Sequence, residues 1–230
     1  MSVNLFRTSV PGPNALEAYR NVQPGAAETI TQPLYDHLVY PATGISQLIF
    51  FQQPKGQGQS SHPGAVTGAT KTLADTNLET PGALPRFKAF MVESIEVQFM
   101  PGSAVSGGVV YNSPVVAGAT AVPATVQDAE LFYNSGYLDW NISSKPYLQD
   151  GPLRKFIPSV QDRVYGAISG VNEAAVSFAL DGNRYYLDAP LTLQDNQAFQ
   201  VSLNWPVLVP ITNPARVGVY LKGFTFRAQQ

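Results

Sequence analysis

The chain of 230 residues predicts an all-β sandwich. Three observations lead there. Apolar and polar residues alternate over short runs, as in FQVSLNW, where Phe199, Val201, Leu203 and Trp205 share one parity and Gln200, Ser202 and Asn204 the other. Glycine and proline, 19 of each, punctuate the whole chain instead of gathering in one linker. Helical periodicity is confined to short stretches, so the strand–helix alternation of a parallel sheet is missing.

Taken in order, residues 1–35 read as an arm, with Pro11, Pro13, Pro24 and Pro33 scattered among few apolar runs. Within it Asn14, followed by Glu17, makes a capping-box start for a short helix, ALEAYRN. That helix would present Leu16 and Tyr19 on one side, to dock either on its own body or on a neighbour. Residues 36–230 form the sandwich domain. LYDHLVYPA and ISQLIFFQQP begin it as strands, and the polar, glycine-rich KGQGQSSHPGAVTGATKT follows as a long loop. SAVSGGVVYNSPVVAGATAVPA is a second excursion. Thr125 and Asp128 then start a short helix, VQDAELFYN, stopped at Ser135-Gly136. YLDWNI is a strand, and residues 146–172 are ambiguous. AAVSFAL and RYYLDAPL are expected to pair as a hairpin around Asp181-Gly182-Asn183.

Two strands change parity midway. In NLETPGALPRFKAFMVESIEVQFMPG, residues 77–102, Phe90 and Val92 fall on one parity and Ile95, Val97 and Phe99 on the other. In RVGVYLKGFTFR the apolar set passes from Val217, Val219 and Leu221 to Phe224 and Phe226 across Gly223. One inserted residue would reconcile the parities, so bulges are expected near Glu93-Ser94 and at Gly223, the latter using a glycine's positive φ. The strand-like runs number about eight, separated by loops of very unequal length. That is a sandwich with Greek-key connections, whose eight-stranded form is the jelly roll. No internal repeat suggests a second copy of the roll.

Composition narrows the chemistry. Charged residues make up 13% of the chain, about half the usual share of roughly 25%, so much of the surface is uncharged. The 14 basic and 16 acidic side chains give a net charge of −2 without a long run of either sign, which argues against strong direct binding of nucleic acid. With no cysteine, disulfides, thiolate metal sites and cysteine nucleophiles drop out together. The N-terminal stretch has no basic and apolar signal pattern, and no apolar run nears the ~20 residues of a membrane span, so a soluble protein is expected.

No catalytic motif stands out. His37 and His62 are the two histidines, too few for a cupin-like metal site, and no zinc-protease, nucleophile-elbow or phosphate-loop signature is present. Gly56-Gln57-Gly58 follows no strand–helix crossover. Asp128 with Glu130 and Glu93 with Glu96 are the nearest carboxylates in sequence, but Glu93 and Glu96 should face opposite sides of a strand. Tyr185 and Tyr186 could stack on sugar rings or simply pack across a hairpin. Accordingly no catalytic, metal or cofactor residue is assigned, and no enzymatic activity is expected.

The loop-rich sandwich, its arm, its low charge, and phrases such as TNLETPGALPRFKAFMVESIEVQFMPG resemble the single jelly-roll major capsid proteins of small tailless icosahedral bacteriophages. The resemblance implies a structural protein, many copies of which close into a virion shell assembled in the host cytoplasm. Minor capsid proteins are then possible partners, and membrane contact is left open. It departs from the common pattern in having a neutral arm, so that a separate basic protein, an internal membrane or loose packing would have to handle the genome's charge. Leu5, Phe6, Leu16 and Tyr19 of the arm are the candidate subunit-interface residues, since each large apolar side chain gains roughly 1.5 to 3 kcal/mol on full burial. The alternatives are a carbohydrate- or receptor-binding β-sandwich and, third, a hydrolase on the same scaffold.

Overall fold

The computed structural model describes residues 26–62, 68–86, 88–105, 108–111, 115–118, 124–158, 164–169, 174–178, 182 and 184–228. Their strands, in chain order, are β1 (Ala26–Thr31), β2 (Leu34–Tyr40), β3 (Gln47–Phe50), β4 (Lys88–Met100), β5 (Gly102–Val105), β6 (Gly108–Tyr111), β7 (Val115–Gly118), β8 (Tyr137–Ile142), β9 (Lys145–Asp150), β10 (Val164–Ser169), β11 (Ala174–Phe178), β12 (Tyr185–Leu193), β13 (Phe199–Asn204) and β14 (Ala215–Ala228). One α-helix, α1 (Ala124–Ser135), and a 3-10 helix, Leu153–Phe156, accompany them.

Two antiparallel sheets make the sandwich. In the first, β14 pairs with β4 from Arg216 opposite Met100 to Arg227 opposite Lys88. Its other side is covered by β2 as far as Leu221 and then by β1 from Phe224 onward. β12 adds to the far side of β4. The second sheet has the order β3-β13-β8-β9. Between the sheets lies one apolar cluster: Tyr40, Val97, Phe99, Val217 and Val219 come from the first, and Phe50, Trp140, Val201 and Leu203 from the second. Strict alternation puts each of these inward, as the pattern of FQVSLNW requires. The hairpin β5-β6 and the small sheet β11-β10-β7 are insertions outside the two main sheets.

The parity change in β4 has a local cause. Lys222 pairs with Ser94 but Gly223 pairs with Val92, so Glu93 is an extra residue and β4 bulges there. The bulge brings Phe90 and Val92 onto the same inward face as Ile95, Val97 and Phe99. Gly223 plays a different part from the one expected. It is not among the glycines with left-handed φ, and the residues beyond it, Phe224 and Phe226, join Ala89 and Met91 in a separate cluster on the opposite face of the sheet. Glycine stands there because a Cβ would come within 1.8 Å of the Met91 carbonyl oxygen, across the strand from the bulge.

Helix α1 closes one end of the core with Ala129, Phe132 and Tyr133, spaced so that they share one face. β12 accompanies β4 only between Phe90 and Ile95. Beyond that, the Tyr133 hydroxyl accepts from the Phe99 N–H at 3.0 Å and donates to the Val97 carbonyl at 2.9 Å, standing in for a missing strand. The helix begins at Ala124, one residue before the Thr125 expected to cap it.

Three sequence expectations change. Residues 26–35, assigned to the arm, run along the sheet edge as β1 and the start of β2, because AAETIT pairs through its backbone without showing apolar alternation. AAVSFAL and RYYLDAPL do not form a hairpin: β11 pairs with β10 and β12 with β4. Gly182 between them packs on the backbone of Ile157, where a Cβ would meet the carbonyl oxygen at 2.4 Å, so close approach alone calls for glycine there. Additional strands arise in the glycine- and valine-rich excursions, where side-chain patterning is weak. The arm helix ALEAYRN lies outside the described residues.

Gly223→Ala should therefore destabilise the protein by about 1 to 3 kcal/mol in urea unfolding, the usual cost of overpacking. Gly151→Ala, where a Cβ meets nothing within 4 Å, should change stability by less than about 0.5 kcal/mol.

Candidate functional site

The densest polar chemistry lies where the long loop after β3 returns to β2. Leu34, Leu38 and Tyr40 turn one parity of β2 toward the core, and Asp36 shares that parity. A buried carboxylate there requires compensation. Lys71, reaching back from the loop, places Nζ 2.6 Å from Asp36 Oδ1, and both side chains are essentially without solvent exposure. Asp36 also accepts the N–H groups of Phe51 at 2.8 Å and His37 at 3.1 Å. Phe51 has a φ of 66°, rare for a non-glycine residue, and the bond to Asp36 together with packing on Phe199 holds it in that conformation.

Across β2, the opposite parity meets the next turn of the same loop. His37 Nδ1 lies 2.8 Å from the Asp75 backbone oxygen, and since a carbonyl only accepts, Nδ1 carries the proton. Nε2 then accepts from the Tyr220 hydroxyl at 2.9 Å. Asp75 receives Ser60 Oγ, the Ser61 N–H and Oγ, and the Thr72 N–H, all within 3.0 Å. Arg216 stands 3.5 Å from the Asp75 carboxylate and donates to Ser61 Oγ and to the Ala74 carbonyl. Burial, reinforced by the Arg216 charge, pulls the His37 pKa down to about 4. Burial alone would raise Asp75, but the hydrogen bonds from Thr72, Ser60 and Ser61 outweigh it and hold the carboxyl at about 2.

This arrangement serves architecture. Serine, histidine and aspartate are present, yet both serines donate to Asp75 while His37 bonds to a backbone carbonyl and a tyrosine, so no nucleophile–base pair forms. The loop instead clasps an edge strand from both faces. Thr76 forms a bridge with Asp36, and Asn77 accepts from the Tyr35 N–H while donating to the Pro33 carbonyl. Polar groups of the β2 edge from Pro33 to His37 are thereby satisfied and shielded from pairing with another chain.

The remaining candidates fall apart in space. Glu96, buried on the outer face of the first sheet, is held by Arg184 at 2.7 Å and Lys222 at 2.6 Å. Asp128 accepts from the backbone and hydroxyl of Thr212, whereas Glu130 is exposed and paired with Arg154. Neither carboxylate pair shares a cleft. Tyr185 packs on Phe156 within the core, and Tyr186 lies exposed beside Arg184, so they point different ways. His62 is exposed. Among the described residues no cluster of three or more His, Cys, Asp or Glu could hold a metal ion, and no helix is long and apolar enough to cross a membrane. Glu93, Ser94 and Gly223 meet at the bulge; Leu5, Phe6, Leu16 and Tyr19 lie outside the described residues.

Two surface features were not anticipated. In WPVLVP, between β13 and β14, Val207 and Leu208 are 74% and 57% exposed while Trp205 and Val209 on either side are buried. The signal available was a pair of prolines bracketing three apolar residues. The second feature is a half-open pocket of about 70 Å3 beside the junction of β1 and β2, lined by Leu34, Leu78, Leu84 and Phe90 and rimmed by the Glu79–Lys88 ion pair.

Lys71→Met would leave Asp36 buried without its cation, and a loss of about 3 to 5 kcal/mol is expected in chemical denaturation. Adding Asp36→Asn should recover part of it, because a neutral amide still accepts from Phe51. His37 supplies a pH dependence. Unfolded, it binds a proton below about 6.5; folded, it does so only near 4. Its contribution is therefore complete above pH 6.5 and lost as the pH falls toward 4, about 3 kcal/mol in all. Melting temperatures measured across that window should fall in the native protein and fall less in His37→Gln.

Compared with known proteins, the chain matches no family model, no curated protein and no solved structure.

Proposed function

We propose that this protein is a single jelly-roll capsid subunit, whose function is to associate with copies of itself in a closed shell. The observation that carries this reading is the strand order. Counting β2, β3, β4, β8, β9, β12, β13 and β14 as the first to eighth strands, the first pairs with the last, the second with the seventh, the third with the sixth and the fourth with the fifth. Such pairing supports reading the two sheets as one ribbon of four strand pairs rolled up, the pattern of an eight-stranded jelly roll; β1 extends the edge already begun by β2.

Capsid proteins, lectins and cupins share this roll, so the choice among them rests on the surface. A cupin-like metal site lacks support, since His37 is committed to Asp75 and Tyr220. A low share of charged residues, insertions of unequal length and an exposed apolar tip suit a surface covered by neighbours. The net charge of −2 leaves genome neutralisation to another component.

A second reading, a carbohydrate-binding sandwich, draws on the outer face of the second sheet. There Gln47 donates to Asn204 at 2.8 Å and Asn204 to Asp139 at 3.1 Å, beside the exposed Tyr137. Fixed amides next to an aromatic ring suit a neutral sugar. Glycan-array binding by a discrete monomer or trimer would favour this reading over the first.

Electron microscopy and size-exclusion chromatography of the purified protein should reveal closed particles. Deleting residues 1–25 leaves every described strand in place, so circular dichroism should remain β-type while particles fail to form or change size. Normal particles from the truncated chain would move the assembly contacts onto the sandwich itself.

A further inference from the structure

Resting on the self-assembly reading, we infer that the Val207-Leu208 tip of one copy seats in the pocket beside Leu34, Leu78, Leu84 and Phe90 of the next, so that subunits join head to tail.

The tip is built as a rigid knob. Trp205 donates its backbone N–H to the Ser46 carbonyl at 2.8 Å and its indole N–H to the Phe132 carbonyl at 3.3 Å. The Val209 carbonyl accepts from the Tyr40 hydroxyl at 2.7 Å, and the Ile211 N–H donates to Ala42 at 2.9 Å. Gly44, with φ of 80°, lies so close beneath that a Cβ would be 2.9 Å from the Val209 nitrogen. Pro206 and Pro210 restrict the backbone further. Pro206, Val207, Leu208 and Pro210 are exposed between these braced ends, and Val207 and Leu208 are the large apolar side chains among them; a backbone restrained before binding lowers the cost of association.

The pocket fits in size and character. A water-sized group needs roughly 10 to 15 Å3 of such space, so about 70 Å3 admits the carbons of one leucine side chain. Its floor is apolar, and its rim carries Gln32, Asn77 and the Glu79–Lys88 pair. An apolar centre inside a polar rim is the usual anatomy of a binding hot spot.

The knob cannot fill this pocket in its own chain. Leu34, at one end of β2, lines the pocket; Tyr40, at the other end, holds Val209. Six strand steps of about 3.3 Å separate them by roughly 20 Å. Knob and pocket are thus different surfaces facing different neighbours, and such heterologous contacts give rings where the rotation closes and open filaments where it does not.

The chain's lack of cysteine permits a direct test. Leu208→Cys and Gln32→Cys variants are prepared separately, assembled alone and as a mixture, and treated with a short bifunctional thiol cross-linker. Cross-linked dimers in the mixture and in neither variant alone are expected. Independently, Val207→Asp with Leu208→Asp should raise the concentration needed for assembly at least tenfold with an unchanged melting temperature. Dimers from Leu208→Cys alone would establish a symmetric tip-to-tip contact and overturn the head-to-tail pairing. Particles that assemble normally yet give no cross-link, or that tolerate both aspartates, overturn the pairing while leaving self-assembly intact. An unsubstituted protein that stays monomeric at every concentration removes the assembly reading, and the pairing with it.

Discussion

The pairing of β14 with β4 is the constraint on which the other elements depend. It runs from Arg216 to Arg227 and supplies both flanks to which β2, β1 and β12 attach. A pairing this long between twisted strands would ordinarily send every second side chain of β4 to a single face throughout. The Glu93 bulge resets the alternation, so that apolar residues before and after it converge on the same core. Gly223 accommodates the reset by letting the two backbones come closer than any side chain allows. The sheet also acquires two differently used outer regions: Met91, Phe224 and Phe226 form an apolar cluster, while Ser94, Glu96 and Lys222 make a polar one.

From that sheet the buried charges follow. Asp36 on the inward parity of β2 would be a large electrostatic liability in isolation. Lys71, two backbone donors and a bridged loop convert it into a clasp, and His37, Asp75 and Arg216 repeat the device on the other face. The long loop is thus held by specific polar bonds more than by apolar packing. These bonds fix residues 60, 61, 71, 72 and 75–77 of the polar loop against the edge strand. The covered part of β2 is thereby protected from pairing with another strand.

Surface and fold are linked through the ends of the strands. Loops between β2 and β3 and between β13 and β14 brace each other, and α1 supports them through Phe132 and Asp128. Rigidity at the apolar tip therefore comes from the same packing that closes the core. The pocket at the other end exists because the edge changes hands from β2 to β1 at Pro33, leaving a notch over Leu34 and Phe90.

Much of the sandwich was legible in the sequence because strand alternation is a local property. FQVSLNW, LYDHLVY and the helix VQDAELFYN show their inward faces within one or two turns of chain. The parity change around Glu93 was legible too, since it disturbs that same local rhythm. Pairing partners were not: β11 and β12, neighbours in sequence, join different sheets, and Gly182 between them packs closely on Ile157, a contact that no local pattern encodes. Asp36 and Lys71 gave no sign of each other across 35 residues, as nothing in either's neighbours encodes a contact formed only when the loop folds back. Nothing in the residues around His37 encodes its protonation, which burial beside the Arg216 charge sets by lowering its pKa. Local chemistry determined which residues face inward; the tertiary structure alone decided which strands meet, which charges are buried together and which apolar side chains remain outside, since each of these depends on distances between segments far apart in the chain.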